Sequence, residues 1–213
     1  MKKIFIQAKS KENIMPVVKK AVKLLPSNIG LVTTIQHKHL LDKAKDFLVK
    51  EGFNVFIGGN VLGCNASSAV KIKYKVDAFL YIGSGEFHPI EVALETDKKV
   101  IVANPLSGKV NELDDSAVKK IKQRKKGGLL KFYSSKNIGI LITTKPGQNN
   151  INKAWELENK FKDKKFYFFI GDTLDLSQME NFPFVEAWIN TACPRMMEDK
   201  KGIVNIQDLE WKD

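Results

Sequence analysis

One strand–helix pattern occurs twice along this chain of 213 residues, in the same order. Three stretches of the first half return in the second: N-I-G-L-V-T-T as N-I-G-I-L-I-T-T, F-N-V-F-I-G-G as F-Y-F-F-I-G-D, and V-D-A-F-L-Y-I-G-S as V-E-A-W-I-N-T-A-C. Matched elements that recur in one order indicate two copies of a single folding unit. We therefore predict two repeat domains, residues 1–113 with Cys64 and residues 114–213 with Cys193.

Strand and helix signals alternate within each copy. Residues 39–52 form an amphipathic pattern that predicts a helix ending at Gly52, and residues 151–161 take the same place in the second copy. Further elements are predicted over residues 2–7, 12–25 and 98–105. Strands that alternate with helices favour a parallel sheet with helices packed on its faces. The predicted fold class is α/β, with two repeated domains that each hold a small parallel sheet flanked by helices.

The charge of the chain suggests acidic partners. The net charge is +11 at pH 7, and the densest basic stretch is K-K-I-K-Q-R-K-K, residues 119–126, which is typical of an exposed helix face. A basic surface favours nucleic acid, ribosomes or an acidic protein. The stretch has no interleaved aromatic residues and resembles no nucleic-acid module, so direct nucleic-acid binding is not expected. A basic α/β protein that binds RNA stays open as an alternative that rests on charge alone.

The apolar runs of the sequence are short. The longest, such as A-F-L-Y-I and I-G-I-L-I, fall far below the roughly 20 residues that a membrane-spanning helix needs. The apolar stretch after the basic start M-K-K is too short for a signal peptide. We therefore expect a cytoplasmic protein with no membrane partner.

The chain has two cysteines, Cys64 in V-L-G-C-N and Cys193 in I-N-T-A-C-P-R-M. Their spacing gives neither a C-x-x-C pair nor a zinc finger, and two buried structural cysteines would be the ordinary interpretation. The repeat favours a functional pair, because each cysteine follows a predicted strand. Both then lie at the carboxyl edge of a parallel sheet, where open α/β folds place their ligands. Pro194 would fix the direction of the thiol, and Arg195 would favour the thiolate or pair with a carboxylate ligand.

Other polar stretches end at the same predicted edge. T-T-I-Q-H-K-H follows the strand N-I-G-L-V, T-T-K-P-G-Q follows its counterpart, and G-S-G-E-F-H-P follows V-D-A-F-L-Y-I. Glycines there let the backbone approach a ligand, and Ser, Gln and His offer hydrogen bonds. G-S-G matches neither G-x-G-x-x-G nor a P-loop, so the sequence predicts no nucleotide phosphate site.

Five motifs resemble those of a known family, in the right order and across almost the whole chain. They are L-V-T-T-I-Q-H-K-H-L, V-L-G-C-N-A-S-S-A, V-D-A-F-L-Y-I-G-S-G-E-F-H-P, T-T-K-P-G-Q and N-T-A-C-P-R. The family is that of archaeal diphthamide synthase, the 2-(3-amino-3-carboxypropyl)histidine synthases. The resemblance covers the second and third domains of that family.

The resemblance implies an iron–sulfur enzyme. Members are built from three similar α/β domains, each of which gives one cysteine to a [4Fe–4S] cluster, and the remaining iron binds S-adenosylmethionine. With an electron from the cluster, S-adenosylmethionine is cleaved between its sulfur and the γ-carbon. This yields a 3-amino-3-carboxypropyl radical instead of the usual 5′-deoxyadenosyl radical. The radical adds to a histidine of translation elongation factor 2, the first step of diphthamide biosynthesis.

The same resemblance assigns roles to individual residues. It implies that Cys64 and Cys193 are the iron ligands and catalytic residues, and that Gln148, Arg195, Thr34 and Gln36 bind the co-substrate. Arg195 would lie against the carboxylate of the methionine part, with Gln148 nearby. Thr34 and Gln36 enter as the repeat counterparts of Thr144 and Gln148.

The sequence departs from the family's pattern in two respects: the family's first domain and its cysteine have no counterpart here, and the segment before V-L-G-C is shorter than is usual in the family. Two thiolates cannot supply the three ligands that leave a [4Fe–4S] cluster with one open site. We therefore expect a hetero-oligomer in which a separate chain brings the first domain and the third cysteine, with a dimer of such assemblies as an option. A non-catalytic accessory subunit, which docks elongation factor 2 or stabilises a full-length catalytic paralogue, and an inactive copy stay open. The retained T-T-K-P-G-Q and N-T-A-C-P-R argue against the inactive copy.

Overall fold

The computed structural model describes residue 6, residues 8–197 and residues 202–209 of the chain. The chain divides into two compact units, Met1–Val118 and Lys119–Asp213. The strand predicted over residues 2–7 lies outside the described residues, apart from residue 6. The predicted domain boundary between residues 113 and 114 stays a prediction.

The first unit contains a five-stranded sheet. Its helices are α1 (Met15–Ala21), α2 (Leu41–Lys50), α3 (Ser67–Val70) and α4 (Phe87–Thr96), with short 3-10 helices at Val22–Leu24, Lys38–Leu40 and Lys73–Lys75. Its strands are β1 (Asn28–Thr33), β2 (Asn54–Asn60), β3 (Ala78–Ile82), β4 (Lys99–Asn104) and β5 (Lys109–Glu112). The strand order is β2–β1–β3–β4–β5, in which β1 to β4 are parallel and β5 pairs antiparallel with β4. Strand β5 was not predicted from the sequence.

Both faces of this sheet are buried, because successive side chains of a strand point to opposite faces. On one face, Leu31, Leu80 and Ile101 belong to a core that includes residues of α1 and α2. On the other face, Phe79 and Tyr81 belong to a core that includes residues of α3 and α4. Burial on both faces explains why β1, β3 and β4 are nearly continuous apolar runs in the sequence.

The second unit contains a four-stranded, all-parallel sheet. Its helices are α5 (Asp115–Ser134), whose first residues belong to the first unit, and α6 (Ile151–Lys160), with 3-10 helices at Leu176–Asn181, Pro194–Met197 and Ile206–Leu209. Its strands are β6 (Asn137–Thr143), β7 (Lys165–Gly171), β8 (Ala187–Asn190) and β9 (Ile203–Asn205), in the order β7–β6–β8–β9. Strands β6, β7 and β8 have the same relative order as β1, β2 and β3 in the first sheet.

The predicted α/β class, with two repeated sheets flanked by helices, is confirmed, although the first sheet is only mostly parallel because of β5. The helix predicted to end at Gly52 ends at Lys50, and Gly52 follows it with a φ of 93°, a left-handed conformation that favours glycine. Within the described part of the chain, no helix combines the length and the apolarity that crossing a bilayer requires.

Candidate functional site

The residues that the sequence analysis selected lie at the carboxyl ends of parallel strands. In the first unit, Thr34 and Gln36 follow β1 and Cys64 follows β2. In the second unit, Gln148 follows β6, and Cys193 and Arg195 follow β8. Because β1 pairs with β2 and β6 pairs with β8, each set occupies one edge of its own sheet.

Cys64 lies in a tight turn after β2. The Leu62 N–H donates to the Asn65 carbonyl at 3.0 Å, and the Asn65 N–H donates back to the Leu62 carbonyl at 3.1 Å. Asn65 Oδ1 also accepts a hydrogen bond from the Ser67 N–H at 2.9 Å, which joins the turn to the first residue of α3. The Cys64 side chain is exposed. The turn therefore presents this thiol to solvent on a hydrogen-bonded backbone.

Gly63 lets the Cys64 turn pack closely against helix α4. A β-carbon at position 63 would overlap the ring of Phe87, the first residue of α4, at distances that real β-carbons do not reach. Glycine is the residue without that atom, so the sequence V-L-G-C combines the close approach of a loop to a helix with an adjacent thiol.

The turn after β1 contains a buried histidine, His37. The Thr34 carbonyl accepts the His37 N–H at 3.1 Å, and the Gln36 carbonyl accepts the Ser10 N–H at 2.9 Å. His37 is only 7% exposed, and neither of its ring nitrogens has a hydrogen-bond partner among the described residues. Burial, assisted by the positive potential of His39, lowers the pKa of His37. The imidazole is therefore neutral at neutral pH.

The loop after β3 carries Ser84 at the position that the repeat assigns to Cys193. The Tyr81 hydroxyl donates to the Ser84 carbonyl at 3.3 Å. Burial raises the pKa of Tyr81 to about 12, so the hydroxyl keeps its proton at neutral pH. The ring of His88 stacks near the Tyr81 ring, with 6.1 Å between centroids.

The loop after β8 is hydrogen-bonded at each residue from Asn190 to Cys193. The Thr191 N–H and Oγ1 both donate to the Leu141 carbonyl of β6, at 3.0 Å and 2.9 Å. Asn190 Oδ1 accepts from the Ala192 N–H at 2.9 Å, and Asn190 Nδ2 donates to the Cys193 carbonyl at 3.1 Å. The Cys193 side chain is half-buried. The main chain that carries this thiol is thus held by side chains of the strand before it.

Asn150 joins the loop of Gln148 to the loop of Cys193. Its Nδ2 donates to the Gln148 carbonyl at 3.3 Å and to the Thr191 carbonyl at 2.6 Å. The Gln148 side chain is half-buried, and the Arg195 side chain is exposed. The structure therefore brings Gln148, Cys193 and Arg195 to one edge of the second sheet.

Asparagines form most of the side-chain hydrogen bonds that shape these loops, and the sequence analysis did not select them. Asn65, Asn150 and Asn190 each bond to main-chain groups of a loop that carries a predicted site residue. An asparagine at the end of a strand or in the loop after it is a recognisable signal, because its short amide side chain bonds to the backbone nearby. The sequence does not show which of its asparagines take that role.

The two thiols suit a soft metal, but they are few. Cys64 and Cys193 are both thiols, one in each unit, and thiolates select iron–sulfur clusters, zinc or Cu(I). Across the described residues, no group of three or more His, Cys, Asp or Glu side chains could hold a metal ion. Each unit therefore contains one cysteine.

Comparison with family models gives one match, to a family described as "Putative diphthamide synthesis protein", over residues 1–202. Among curated proteins, the 2-(3-amino-3-carboxypropyl)histidine synthase of Pyrococcus horikoshii is 32% identical, over 93% of this chain and 60% of its own length. Subunit 1 of the enzyme of the same name from Schizosaccharomyces pombe is 29% identical, over 93% of this chain and 49% of its own length.

Solved structures give a consistent result. The crystal structure of Dph2 from Pyrococcus horikoshii with a 4Fe–4S cluster matches with a TM-score of 0.80 and 29% identity. The match covers 95% of this chain and 62% of that chain. The chain thus spans roughly three fifths of the length of the Pyrococcus horikoshii protein.

Proposed function

Because the chain belongs to this diphthamide synthesis protein family, we propose that it is a component of an iron–sulfur, S-adenosylmethionine-dependent enzyme. That enzyme would transfer a 3-amino-3-carboxypropyl group to a histidine of translation elongation factor 2, the first step of diphthamide biosynthesis. The proposal is carried by one observation: in both units, a cysteine follows a parallel strand in a hydrogen-bonded loop at the carboxyl edge. That edge is where α/β folds bind their ligands.

Cys64 and Cys193 are the residues of this chain that fit a [4Fe–4S] cluster. Such clusters are held by thiolates, and their potential depends on hydrogen bonds and exposure around the sulfurs. One thiol is exposed and the other half-buried, and each follows a strand at the carboxyl edge of its own sheet. When bound, the cluster would supply the electron for cleavage of S-adenosylmethionine between its sulfur and γ-carbon.

Two thiols leave the ligand set incomplete. A cluster with one open iron needs a third cysteine, and this sequence has two. We propose that a separate chain supplies the third cysteine together with the family's first domain, so that the working form is a hetero-oligomer, with a dimer of such assemblies as a further possibility to test.

The remaining site residues are proposed to bind the co-substrate. The guanidinium of Arg195 would pair with the methionine carboxylate through charge-assisted hydrogen bonds, and the side-chain amide of Gln148 would bond beside it. Thr34 and Gln36, at the same type of edge in the first unit, would line the site with hydroxyl and amide groups. The net charge of +11 fits an acidic protein or ribosomal setting for the acceptor.

A second function is favoured by the incomplete ligand set itself. A chain with one cysteine in each unit could act as an accessory subunit, which docks elongation factor 2 or stabilises a full-length catalytic paralogue. Such a subunit would not need either thiol, which separates the two proposals experimentally.

The test is spectroscopic. The tagged chain is purified without oxygen from its own host with any partner, reduced with dithionite, and examined by low-temperature EPR with and without S-adenosylmethionine. For an enzyme component we expect a reduced [4Fe–4S] signal that changes on addition of S-adenosylmethionine. Cys64→Ala and Cys193→Ala should each abolish the signal and transfer to elongation factor 2.

Ser84→Ala is the matched control, because Ser84 takes the repeat position of Cys193 in the other unit. It should leave the EPR signal unchanged. Full transfer activity of the complex with both cysteines replaced would contradict the enzyme component and support the accessory subunit.

A further inference from the structure

We propose that Asn190 is a positioning residue that fixes the direction of the Cys193 thiol. The inference rests on the proposed function, in which Cys193 is a cluster ligand, and it adds the side chain that holds this ligand in place. Asn190 is the last residue of β8 and is 1% exposed, so it contacts the Cys193 loop from within the protein.

The Asn190 amide uses both of its polar atoms on the cysteine loop. Its Oδ1 accepts the Ala192 N–H at 2.9 Å, and its Nδ2 donates to the Cys193 carbonyl at 3.1 Å. The other Nδ2 hydrogen goes to Asn205 Oδ1 of the neighbouring strand β9, at 2.8 Å. A buried amide with two donors and an acceptor in use cannot rotate without losing all three bonds.

The Cys193 carbonyl is held from a second direction. The Met196 N–H donates to it at 3.1 Å within the 3-10 helix that begins at Pro194. On the side of the loop that precedes the cysteine, Asn150 Nδ2 holds the Thr191 carbonyl at 2.6 Å. The peptide plane after Cys193 and the plane between Thr191 and Ala192 are therefore both held, which restricts the direction of the Cys193 Cα–Cβ bond.

The repeat provides an internal comparison for this interaction. Tyr81 takes the position of Asn190 in the first unit, and its hydroxyl donates to the carbonyl of Ser84 at 3.3 Å. In the first unit, too, a strand residue thus donates to the carbonyl three residues later, although the loop there carries a serine in place of the cysteine. Among the described residues, the Asn190 side chain makes three hydrogen bonds, two to its own loop and one to Asn205, whereas the Tyr81 hydroxyl makes the single bond to Ser84. The more extensive network occurs beside the thiol.

The experiment measures the thiol directly and needs no cluster. The full chain, freed of metal with a chelator, is alkylated with iodoacetamide at one fixed pH, and the modification of Cys193 and Cys64 is followed by mass spectrometry. We expect Asn190→Ala to raise the rate at Cys193 about fivefold, the population change that one hydrogen bond supports. The rate at Cys64, in the other unit, should stay unchanged and serves as the internal reference.

Two further variants separate positioning from general stability. Asn190→Asp keeps an acceptor for the Ala192 N–H but loses the donor to the Cys193 carbonyl, so its Cys193 rate should rise as in Asn190→Ala. Ser135→Ala removes a buried hydrogen bond to the Lys131 carbonyl, 2.7 Å long, at the amino end of β6. It should lower the unfolding temperature of the second unit and leave both alkylation rates unchanged. If Asn190→Ala unfolds that unit, Asn205→Ala should give a smaller rise at Cys193 alone.

The outcomes distinguish this inference from the proposed function. Unchanged Cys193 alkylation in Asn190→Ala, in a chain whose wild type gives the cluster signal, would overturn the positioning role and leave the proposed function standing. A selective rise at Cys193 in a chain that never gives the signal would support the positioning role and reject the cluster. If Ser135→Ala raised the alkylation rate of Cys193 as much as Asn190→Ala does, that result would also overturn the inference.

Discussion

The two units share one arrangement of strands and differ in what covers it. In the first unit, both faces of the sheet pack against helices, with α1 and α2 on one face and α3 and α4 on the other. In the second unit, α5 and α6 contribute to the core on one face, but the other face is covered by the connection between β7 and β8. That connection holds a 3-10 helix, Leu176–Asn181, and contributes Leu174, Met179 and Phe182 to the core.

Aromatic packing takes the place of the missing helices. Phe169 of β7 lies 4.6 Å from Phe182 and 4.8 Å from Trp188 of β8, measured between ring centroids. Large rings bury much apolar area per residue and gain from edge-to-face contacts. A connection without a full α-helix can therefore close the second sheet, because its aromatic residues supply the area that a helix face supplies in the first.

One packing feature is common to both sheets. Gly30 of β1 lies against the ring of Phe79, its partner in β3, and Gly139 of β6 lies against the ring of Trp188, its partner in β8. In both units a glycine in the central strand leaves room for an aromatic side chain on the neighbouring strand. The repeat is therefore conserved in packing as well as in strand order within this chain.

The two cysteines do not occupy equivalent positions in the repeat. Cys64 follows β2, whose counterpart β7 is followed by Asp172, and Cys193 follows β8, whose counterpart β3 is followed by Ser84. The fold makes the same edge available in each unit, but it leaves open which loop carries the thiol. Repeat symmetry can thus locate the candidate edge and cannot locate the residue.

The largest loss of stability is expected from replacing Gly30 and Gly139 with alanine. A β-carbon at Gly139 would lie 2.5 Å from Trp188 Cε3 and 2.9 Å from Val185 Cγ1, and one at Gly30 would lie 2.5 Å from two Phe79 ring atoms. Overpacking of this kind costs about 1–3 kcal/mol. We expect both alanine variants to lower the free energy of unfolding of their own unit, measured by hydrogen exchange of β6 and β1 in the full chain.

Gly139→Ala should be the costlier of the two. Its second contact is Val185 in the same core, whereas the second contact of Gly30 is the flexible end of Ile72, at 3.3 Å. Gly127→Ala is the control, since a β-carbon there meets nothing within 4 Å and alanine in a helix gains about 0.5–1 kcal/mol over glycine. Equal tolerance of alanine at Gly30 and Gly127 would show that the glycine–aromatic contact is not a shared requirement.

The second predicted effect is that the stability of the first unit depends on pH through its buried histidine. All three histidines, His37, His39 and His88, belong to the first unit. Because the pKa of His37 is lowered from 6.5, the unfolded chain takes up a proton at a higher pH than the folded chain does. The stability that neutral His37 contributes is therefore present above pH 6.5 and declines as the pH falls below it. The protection of β1 amides should fall over that range, relative to β6.

His37→Phe should remove most of this difference. The substitution replaces two ring nitrogens, which have no hydrogen-bond partner in the described part of the chain, with apolar atoms, and it should stabilise the first unit by about 1 kcal/mol below pH 6.5. His39→Gln is the control, because His39 is exposed and acts on His37 only through its charge. If the pH dependence of β1 protection survives in His37→Phe, another group of the first unit controls it.

The sequence predicts much of the fold and less of the site, for physical reasons. Buried parallel strands such as β3 and β8 are continuous apolar runs, and an amphipathic helix such as α2 has a clear period, so both are visible in one sequence. Strand β5 is short and exposed, with a burial pattern that lacks alternation, and it was missed. The cysteines stand out by their rarity and position, whereas Asn190 is an ordinary asparagine in the sequence, and its bond to Asn205 exists only after β8 and β9 pair.

The smallest expected effect tests whether the hydrogen bond from a strand residue to the loop carbonyl is required by the fold of both units or is specific to the loop that carries the thiol. Tyr81→Phe removes the 3.3 Å bond to the Ser84 carbonyl with little change in packing. A bond of this kind contributes about 0.5–1.5 kcal/mol, and its length places it at the low end. We expect slightly faster hydrogen exchange in the loop after β3, whereas Tyr74→Phe, at a side chain that is 89% exposed, should change nothing.

The result changes how Asn190 is interpreted. A loop after β3 that loosens in Tyr81→Phe would indicate that both units need this bond to close the turn after their third repeated strand, with Asn190 as a strengthened version. A loop that keeps its protection would indicate that the turn closes without it. The three bonds of Asn190 would then be specific to the loop that carries Cys193, which is the outcome that a role in directing the thiol requires.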